Sequence, residues 1–264
     1  MTGSAGPARH AQMEIRRLQR RLARRERTLR DLQDLQRANS KLLARLLEEL
    51  AAEKSRSEAL LRNILPKDVI ARLERSDTGL IADAIDSASV VFADFIGFTP
   101  RAARMSAPDL VTTLNALYSA FDDAAERAGV EKIKTIGDAY LAASGLHGAA
   151  DDHADAAVDF ALALGDIARS SEIAGGRWPV RVGVHSGPLT AGVIGKRKFA
   201  FDIWGDTVNV ASRVQSASGE NEVLVSDATA ERLSSRFALG PAREIELKGR
   251  GVRRVYSVRV GASG

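Results

Sequence analysis

The sequence predicts an α+β domain, an antiparallel sheet with helices on one face, preceded by a long coiled-coil helix. Three observations carry this. Residues 11–64 contain no Gly, no Pro and no aromatic residue, and apolar side chains recur there every 3.5 positions. From residue 88 onward, short β-rich runs alternate with amphipathic helical ones. Turn signals such as Gly137-Asp138 and Lys248-Gly249 separate pairs of β-rich runs, as in hairpins.

Residues 1–10 (MTGSAGPARH) are small and polar and are expected to be disordered. Over 11–64, residues 15, 18, 22, 25, 29, 32, 36, 39, 43, 46, 50, 53, 57, 60 and 64 form a seam. Ten of these fifteen are apolar: Ile15, Leu18, Leu22, Leu29, Leu32, Leu43, Leu46, Leu50, Leu60 and Ile64. A helix with such a stripe cannot bury it alone, so it pairs in parallel with a copy of itself. One helix packed along the globular domain is the alternative. Polar seam residues Arg25, Gln36 and Asn39 cost stability and can fix register.

Pro66 disfavours helix at the residue before it, so 65–87 reads as a separate unit. A short helix within Ile64–Leu73 precedes a connector over 76–87. The globular domain is then 88–260. Its expected strands are Ser89–Phe95, Lys132–Ile136, Ala139–Ala143, Val180–His185, Thr190–Ile194, Glu222–Val225, Glu244–Leu247 and Arg254–Val260. Its expected helices are Ala107–Ala128, Asp155–Ile167 and Thr207–Ala217. Ser186-Gly187-Pro188 reads as a hairpin turn.

Composition closes off several chemistries. The chain has no Cys, which excludes disulfides, thiol nucleophiles and thiolate metal sites. Its four His are scattered, which argues against a His-rich metal centre. No run of about 18 uncharged apolar residues exists, so no membrane span is expected in this chain. The net charge is +4, yet residues 15–30 hold eight Arg against Glu26 alone. That segment is +7, which leaves −3 for the rest of the chain. A basic coiled coil on nucleic acid is one reading. However, Ile15, Leu18, Leu22 and Leu29 place the basic stretch inside the zipper and not ahead of it, so no nucleic-acid partner is expected.

Asp94 ends an expected buried strand, and Asp138 sits at an expected hairpin tip. Either alone is usually a cap or turn former. Together at adjacent strand ends they repel unless a cation lies between them, and hard divalent ions take oxygen ligands. Metal pairs bridging two carboxylates suit in-line phosphoryl transfer. The turn Gly97-Phe98-Thr99 after Asp94 can turn backbone N–H groups toward phosphates. Asn209 and Arg213 lie four apart on one helix face. Lys134 on its own reads as a surface strand lysine like Lys132.

Four stretches, FADFIGFT (Phe92–Thr99), KTIGDAY (Lys134–Tyr140), GVHSGPLTAGVIG (Gly183–Gly195) and FDIWGDTVNVASR (Phe201–Arg213), resemble the catalytic domain of class III nucleotide cyclases. The resemblance covers about 80–260. Leu60–Leu73 is similar to the transducer element that often precedes this domain, and the nearest likeness is to mycobacterial membrane-anchored, homodimeric adenylate cyclases. The resemblance implies a ferredoxin-like antiparallel sheet with helices. It implies two Mg²⁺ or Mn²⁺ ions held by Asp94, Asp138 and the Phe95 carbonyl. It also implies phosphate contacts from Gly97, Phe98 and Thr99, base recognition by Lys134 and Asp202, ribose orientation by Asn209, α-phosphate stabilisation by Arg213 and terminal-phosphate contact by Lys248. In the family the metal pair comes from one subunit and the base-reading and transition-state residues from the other. A homodimer would thus form two sites on ATP, and a monomer none. Pro188 departs from members that carry a phosphate-contacting Arg there, and resembles several homodimeric enzymes.

The base assignment agrees with a hydrogen-bond inventory. Lys only donates and an ionised Asp only accepts. Adenine offers an acceptor at N1 and a donor at its 6-amino group; guanine reverses both edges. A guanylate cyclase on the same fold is the alternative. The arginines at 16–30 are consistent with a cytosolic segment beneath a membrane span in a longer parent protein.

Overall fold

The structure is a computed structural model that describes residues 6–62, 65, 67–73, 81–147, 151–170, 176–195, 200–247 and 251–261. It divides into two compact units, Met1–Ile64 and Leu65–Gly264.

The first unit is one helix, α1 (Gly6–Arg62), 57 residues long, which begins inside the stretch expected to be disordered. Eight seam leucines (18, 22, 29, 32, 43, 46, 50 and 60) are 52–68% exposed along it. Ile15 and Ile64 lie outside the residues whose side chains are described. Ion pairs one turn apart, such as Arg45 with Glu49 at 2.9 Å, add at most about 0.5 kcal/mol each. Among the described residues, no helix is long and apolar enough to cross a membrane.

The second unit runs α2 (Lys67–Leu73), β1 (Ile81–Phe95), α3 (Phe98–Ala102), α4 (Ala107–Ala128), β2 (Glu131–Ile136), β3 (Ala139–Ser144), α5 (His153–Arg169), β4 (Val180–Ile194), β5 (Ala200–Trp204), α6 (Asp206–Ser216), β6 (Val223–Ser226), α7 (Asp227–Ala230), β7 (Phe237–Leu239), β8 (Arg243–Leu247) and β9 (Gly251–Val260). The sheet order is β2-β3-β1-β4-β6-β9-β7, with β5 paired to β4 and β8 to β9. Every pairing is antiparallel except that of β4 with β6. The first four strands follow a βαββαβ path in the order 2-3-1-4, the ferredoxin-like arrangement.

Local chemistry accounts for the helices. Ser106 caps α4 by accepting from the Asp109 N–H at 3.2 Å, Pro108 opens its first turn, and Gly129 ends it in the left-handed region at φ 66°. Its inward stripe Leu117, Phe121, Ala124 and Ala125 is fully buried. With α5 it covers Val91, Ala93 and Phe95 of β1. The alternate β1 residues Ala88, Val90 and Phe92 face α2 and Ala211 of α6. Helices thus cover both faces of the sheet, not one, and this is why β1 reads as an unbroken apolar run. Gly183 of β4 lets α6 approach closely, since a Cβ there would stand 2.1 Å from the Gln215 backbone nitrogen.

β5 and β7 were not expected, and two further strands differ in extent from expectation. β1 starts at Ile81, eight residues before Ser89, because its first half is covered on one side only and so lacks a continuous apolar pattern. β4 is a single strand through Ser186-Gly187-Pro188, where a hairpin turn was expected. Pairs Ser89 with Ser186 and Ala88 with Gly187 carry the ladder past that point. Pro188 falls at the register shift between Ile85 and Ala88, where a missing N–H is tolerated. The hairpin partner of β4 is β5.

A buried polar chain crosses β1, β4 and β6. His153 holds Ser87 at 2.9 Å through Nε2 and Ser89 at 2.8 Å through Nδ1. Ser89 reaches Ser186 at 2.6 Å, Ser186 donates to Thr229 at 3.0 Å, and Thr229 lies 3.2 Å from Ser226. Ser226 closes the chain on His185 Nδ1 at 2.7 Å. Burial pushes the His185 imidazole down to about 4 and also lowers that of His153. A histidine forced to stay neutral when folded contributes stability above its unfolded pKa, about 6.5, and loses it as pH falls through the folded value. Stability should therefore drop between about pH 6.5 and 4, by up to about 3 kcal/mol from His185. Urea unfolding across this range should show the slope, and His185→Asn should flatten part of it.

Candidate functional site

Asp94 is the penultimate residue of β1, paired laterally with Ala139 of β3. Asp138 immediately precedes Ala139 in the β2–β3 turn, where Gly137 takes a positive φ of 64° that other residues rarely adopt. The two carboxylates therefore meet at neighbouring strand ends. On the other side, Asp94 pairs with Arg181 of β4, whose Nη2 donates to Asp94 Oδ2 at 2.6 Å. Burial raises the Asp138 carboxyl above its ordinary range; the Asp94 charge adds to this and Arg181 opposes it. Tyr118 donates from its hydroxyl to the Gly137 carbonyl at 3.3 Å. Burial, then the charges of Asp138 and Asp94, push that hydroxyl up to about 12.

The ground behind this turn is stiff. Phe95 lies 5.8 Å from Phe121, 6.1 Å from Tyr118 and 6.1 Å from Trp178, ring to ring. A chain poor in aromatics has gathered them beneath its paired acids. Gly97, at φ 68°, turns the chain from β1 into α3, so Gly97, Phe98 and Thr99 follow Asp94 directly.

A second group forms on β2, β5 and α6. Lys134 Nζ donates to Asp202 Oδ2, and the Ile203 N–H donates to the other oxygen of Asp202 at 2.9 Å. Asp202 is half-buried and Lys134 more open. Asn209 and Arg213 lie one turn apart on α6, the first exposed and the second half-buried. Lys248 lies outside the described residues. The sequence motifs did not mark Arg181 or Tyr118. Only the strand register brings Arg181 opposite Asp94, and only packing sets Tyr118 behind Gly137.

The donor set fits a hard divalent cation. Among the described residues no cluster of three or more His, Cys, Asp or Glu exists, so the protein offers the acid pair and backbone oxygens. Mg²⁺ is commonly held in this way, by one or two carboxylates with substrate phosphates and water. Burial, and after it the Asp94 charge, make the ionised Asp138 carboxylate costly without a cation beside it.

The family model for the adenylate and guanylate cyclase catalytic domain matches residues 80–260, and the chain belongs to this family. A Mycobacterium tuberculosis protein named adenylate cyclase is 44% identical over 214 residues, 81% of this chain and 48% of its own. Atrial natriuretic peptide receptor 2 of Rattus norvegicus is 38% identical over 222 residues, 82% of this chain and 21% of its own. The chain thus spans about half the length of the mycobacterial relative and about a fifth of the receptor. The solved catalytic core of a rhodopsin-guanylyl cyclase with converted specificity, in complex with ATPαS, superposes with a TM-score of 0.65. It is 40% identical, and the match covers 68% of this chain and 98% of that one.

The acid pair sets a stability cost. An acid whose folded pKa is raised destabilises the fold above that pKa, and the penalty disappears once it is protonated. Asp138→Asn should therefore stabilise the domain in the absence of divalent ions at pH 7. The gain should shrink as pH falls and wild-type Asp138 takes up its proton. Urea titrations of both proteins with a chelator present, at neutral and acid pH, check this.

Proposed function

We propose that the chain is the catalytic part of an adenylate cyclase, which converts ATP to 3′,5′-cyclic AMP and pyrophosphate in sites shared between two copies. The observation that carries the choice of ATP is the Lys134–Asp202 pair. One oxygen of Asp202 is held by a backbone N–H and the other by Lys134, so the carboxylate is fixed with acceptor capacity to spare. Such a pair donates to adenine N1 and accepts from the 6-amino group. Guanine would meet two mismatches, each costing about 1–3 kcal/mol. A guanylate cyclase domain of Catenaria anguillulae solved with GTP, 38% identical, makes GTP the second reading.

Asp94, Asp138 and the Phe95 carbonyl would hold two divalent ions, Mg²⁺ or Mn²⁺. Bound there, the ions supply charge neutralisation and make the ribose 3′-hydroxyl easier to deprotonate. The N–H groups of the Gly97-Phe98-Thr99 turn face phosphate oxygens. Asn209 orients the ribose so that its 3′-oxygen lies in line with the α-phosphorus. The oxygen–phosphorus bond forms, the bond to the β-phosphate oxygen breaks, and the hydroxyl proton leaves to solvent. Arg213 stabilises the charge that builds on the α-phosphate, and Lys248 the departing pyrophosphate.

Two features support sharing between copies. The leucine stripe of α1 is exposed and needs a partner, which a second copy supplies as a parallel coiled coil. Pairing there raises the effective concentration of the two catalytic domains. Exposed Ile136 and Trp204 stand beside the acid pair and beside Asp202, at 49% and 36% exposure. The arginines at 16–30 fit a cytoplasmic segment beneath a membrane anchor carried by a longer parent.

Purified chain with ATP and Mn²⁺ or Mg²⁺ should yield cyclic AMP and pyrophosphate, with GTP turned over at least tenfold more slowly. Lys134→Ala should lower kcat/KM for ATP by about ten- to several-hundred-fold; equal use of both nucleotides would move the reading to the second. Asp94→Ala and Arg213→Ala chains should each be inactive alone. Mixed, they should regain activity from one intact site per heterodimer, and no recovery would sink the shared site.

A further inference from the structure

Arg181 has no part in the roles assigned above, yet it is the cation that touches the acid pair. It stands opposite Asp94 in the β1–β4 ladder and reaches it at 2.6 Å. Its side chain is 34% exposed and that of Asp94 20%, so the contact is only partly screened by water. The bond is single, to Oδ2. Its Nε is buried and makes no hydrogen bond among the described residues. An ion pair shaped for stability would present the guanidinium fork to both carboxylate oxygens. This one leaves Oδ1 open and tolerates an unpaired donor. What the position retains is positive charge beside two carboxylates.

We propose that Arg181 is a positioning residue, a resident counter-ion for Asp94 and Asp138. It holds the two acids together before any divalent cation arrives and weakens cation capture until nucleotide brings its own phosphate oxygens. This rests on the reading of Asp94 and Asp138 as cation ligands. Two carboxylates and one guanidinium leave a net charge of −1, enough to attract a divalent ion but not to bind it tightly. A doubly charged ion sharing a carboxylate with a guanidinium is repelled by roughly tenfold in affinity, even at the dielectric constant of water. With a triphosphate in place the repulsion is outweighed. Cation and nucleotide then bind as a coupled pair.

The test is Mn²⁺ binding to the full chain by electron paramagnetic resonance, without nucleotide and with 3′-deoxy-ATP, which cannot cyclise. Arg181→Gln should tighten nucleotide-free Mn²⁺ binding about tenfold. Arg181→Lys, which keeps the charge, should stay within about twofold of the parent. Unchanged or weaker Mn²⁺ binding in a folded Arg181→Gln chain overturns the proposal. A second measurement needs no metal. Arg181→Gln should cost less stability in an Asp138→Asn background than in the parent, because the repulsion it unmasks is gone. Equal costs would make Arg181 a simple strand-pairing residue. If Arg181→Gln and Arg181→Met both fail to fold, the proposal is likewise overturned. No Mn²⁺ binding by the parent, even with 3′-deoxy-ATP, defeats the metal reading itself.

Discussion

The lateral register of β1 is the constraint on which the site depends. Asp94 has Ala139 on one side and Arg181 on the other. A slip of one residue would turn Asp94 to the opposite face of the sheet and bring a buried apolar residue into its place. The slip is prevented well away from the chemistry. Ala88 through Ala93 are buried on both faces, in two separate apolar cores. The position of the acids is thus inherited from packing elsewhere in the sheet.

The same sheet carries a second consequence. Lateral pairs share a face, so Phe92 fixes the side of Gly183, and α6 lies where Gly183 leaves room for it. Lys134 pairs with Leu141, itself the partner of Phe92, so it belongs to that side as well. The face that holds the acid pair therefore also holds the proposed base-reading pair. Both groups of the proposed site thus lie on one side of one sheet.

Much of this was legible in the sequence, for identifiable reasons. The ends of α4 are written locally, in Ser106, Pro108 and Gly129. The β2–β3 turn is written in Gly137, whose conformation few other residues adopt. Non-local features were not legible. Ser186-Gly187-Pro188 reads as a turn because small residues and Pro end most strands; β1 pairs straight through it. β5 has strand-forming residues, Phe201, Ile203 and Trp204, but only five positions, too few to stand out before its pairing with β4 is seen. Arg181 could not be singled out, since its partner lies 87 residues away and only the folded register joins them.

The hydroxyl and imidazole chain between His153 and His185 limits how this domain can move. Its members sit on β1, β4, β6 and the helices that follow β3 and β6, so sliding one strand against its neighbour would break several buried bonds in a single step. Graded shear through the middle of the sheet is therefore costly. Whatever reaches the acids from outside must carry these strands as one block, leaving the rims of the sheet to absorb the displacement.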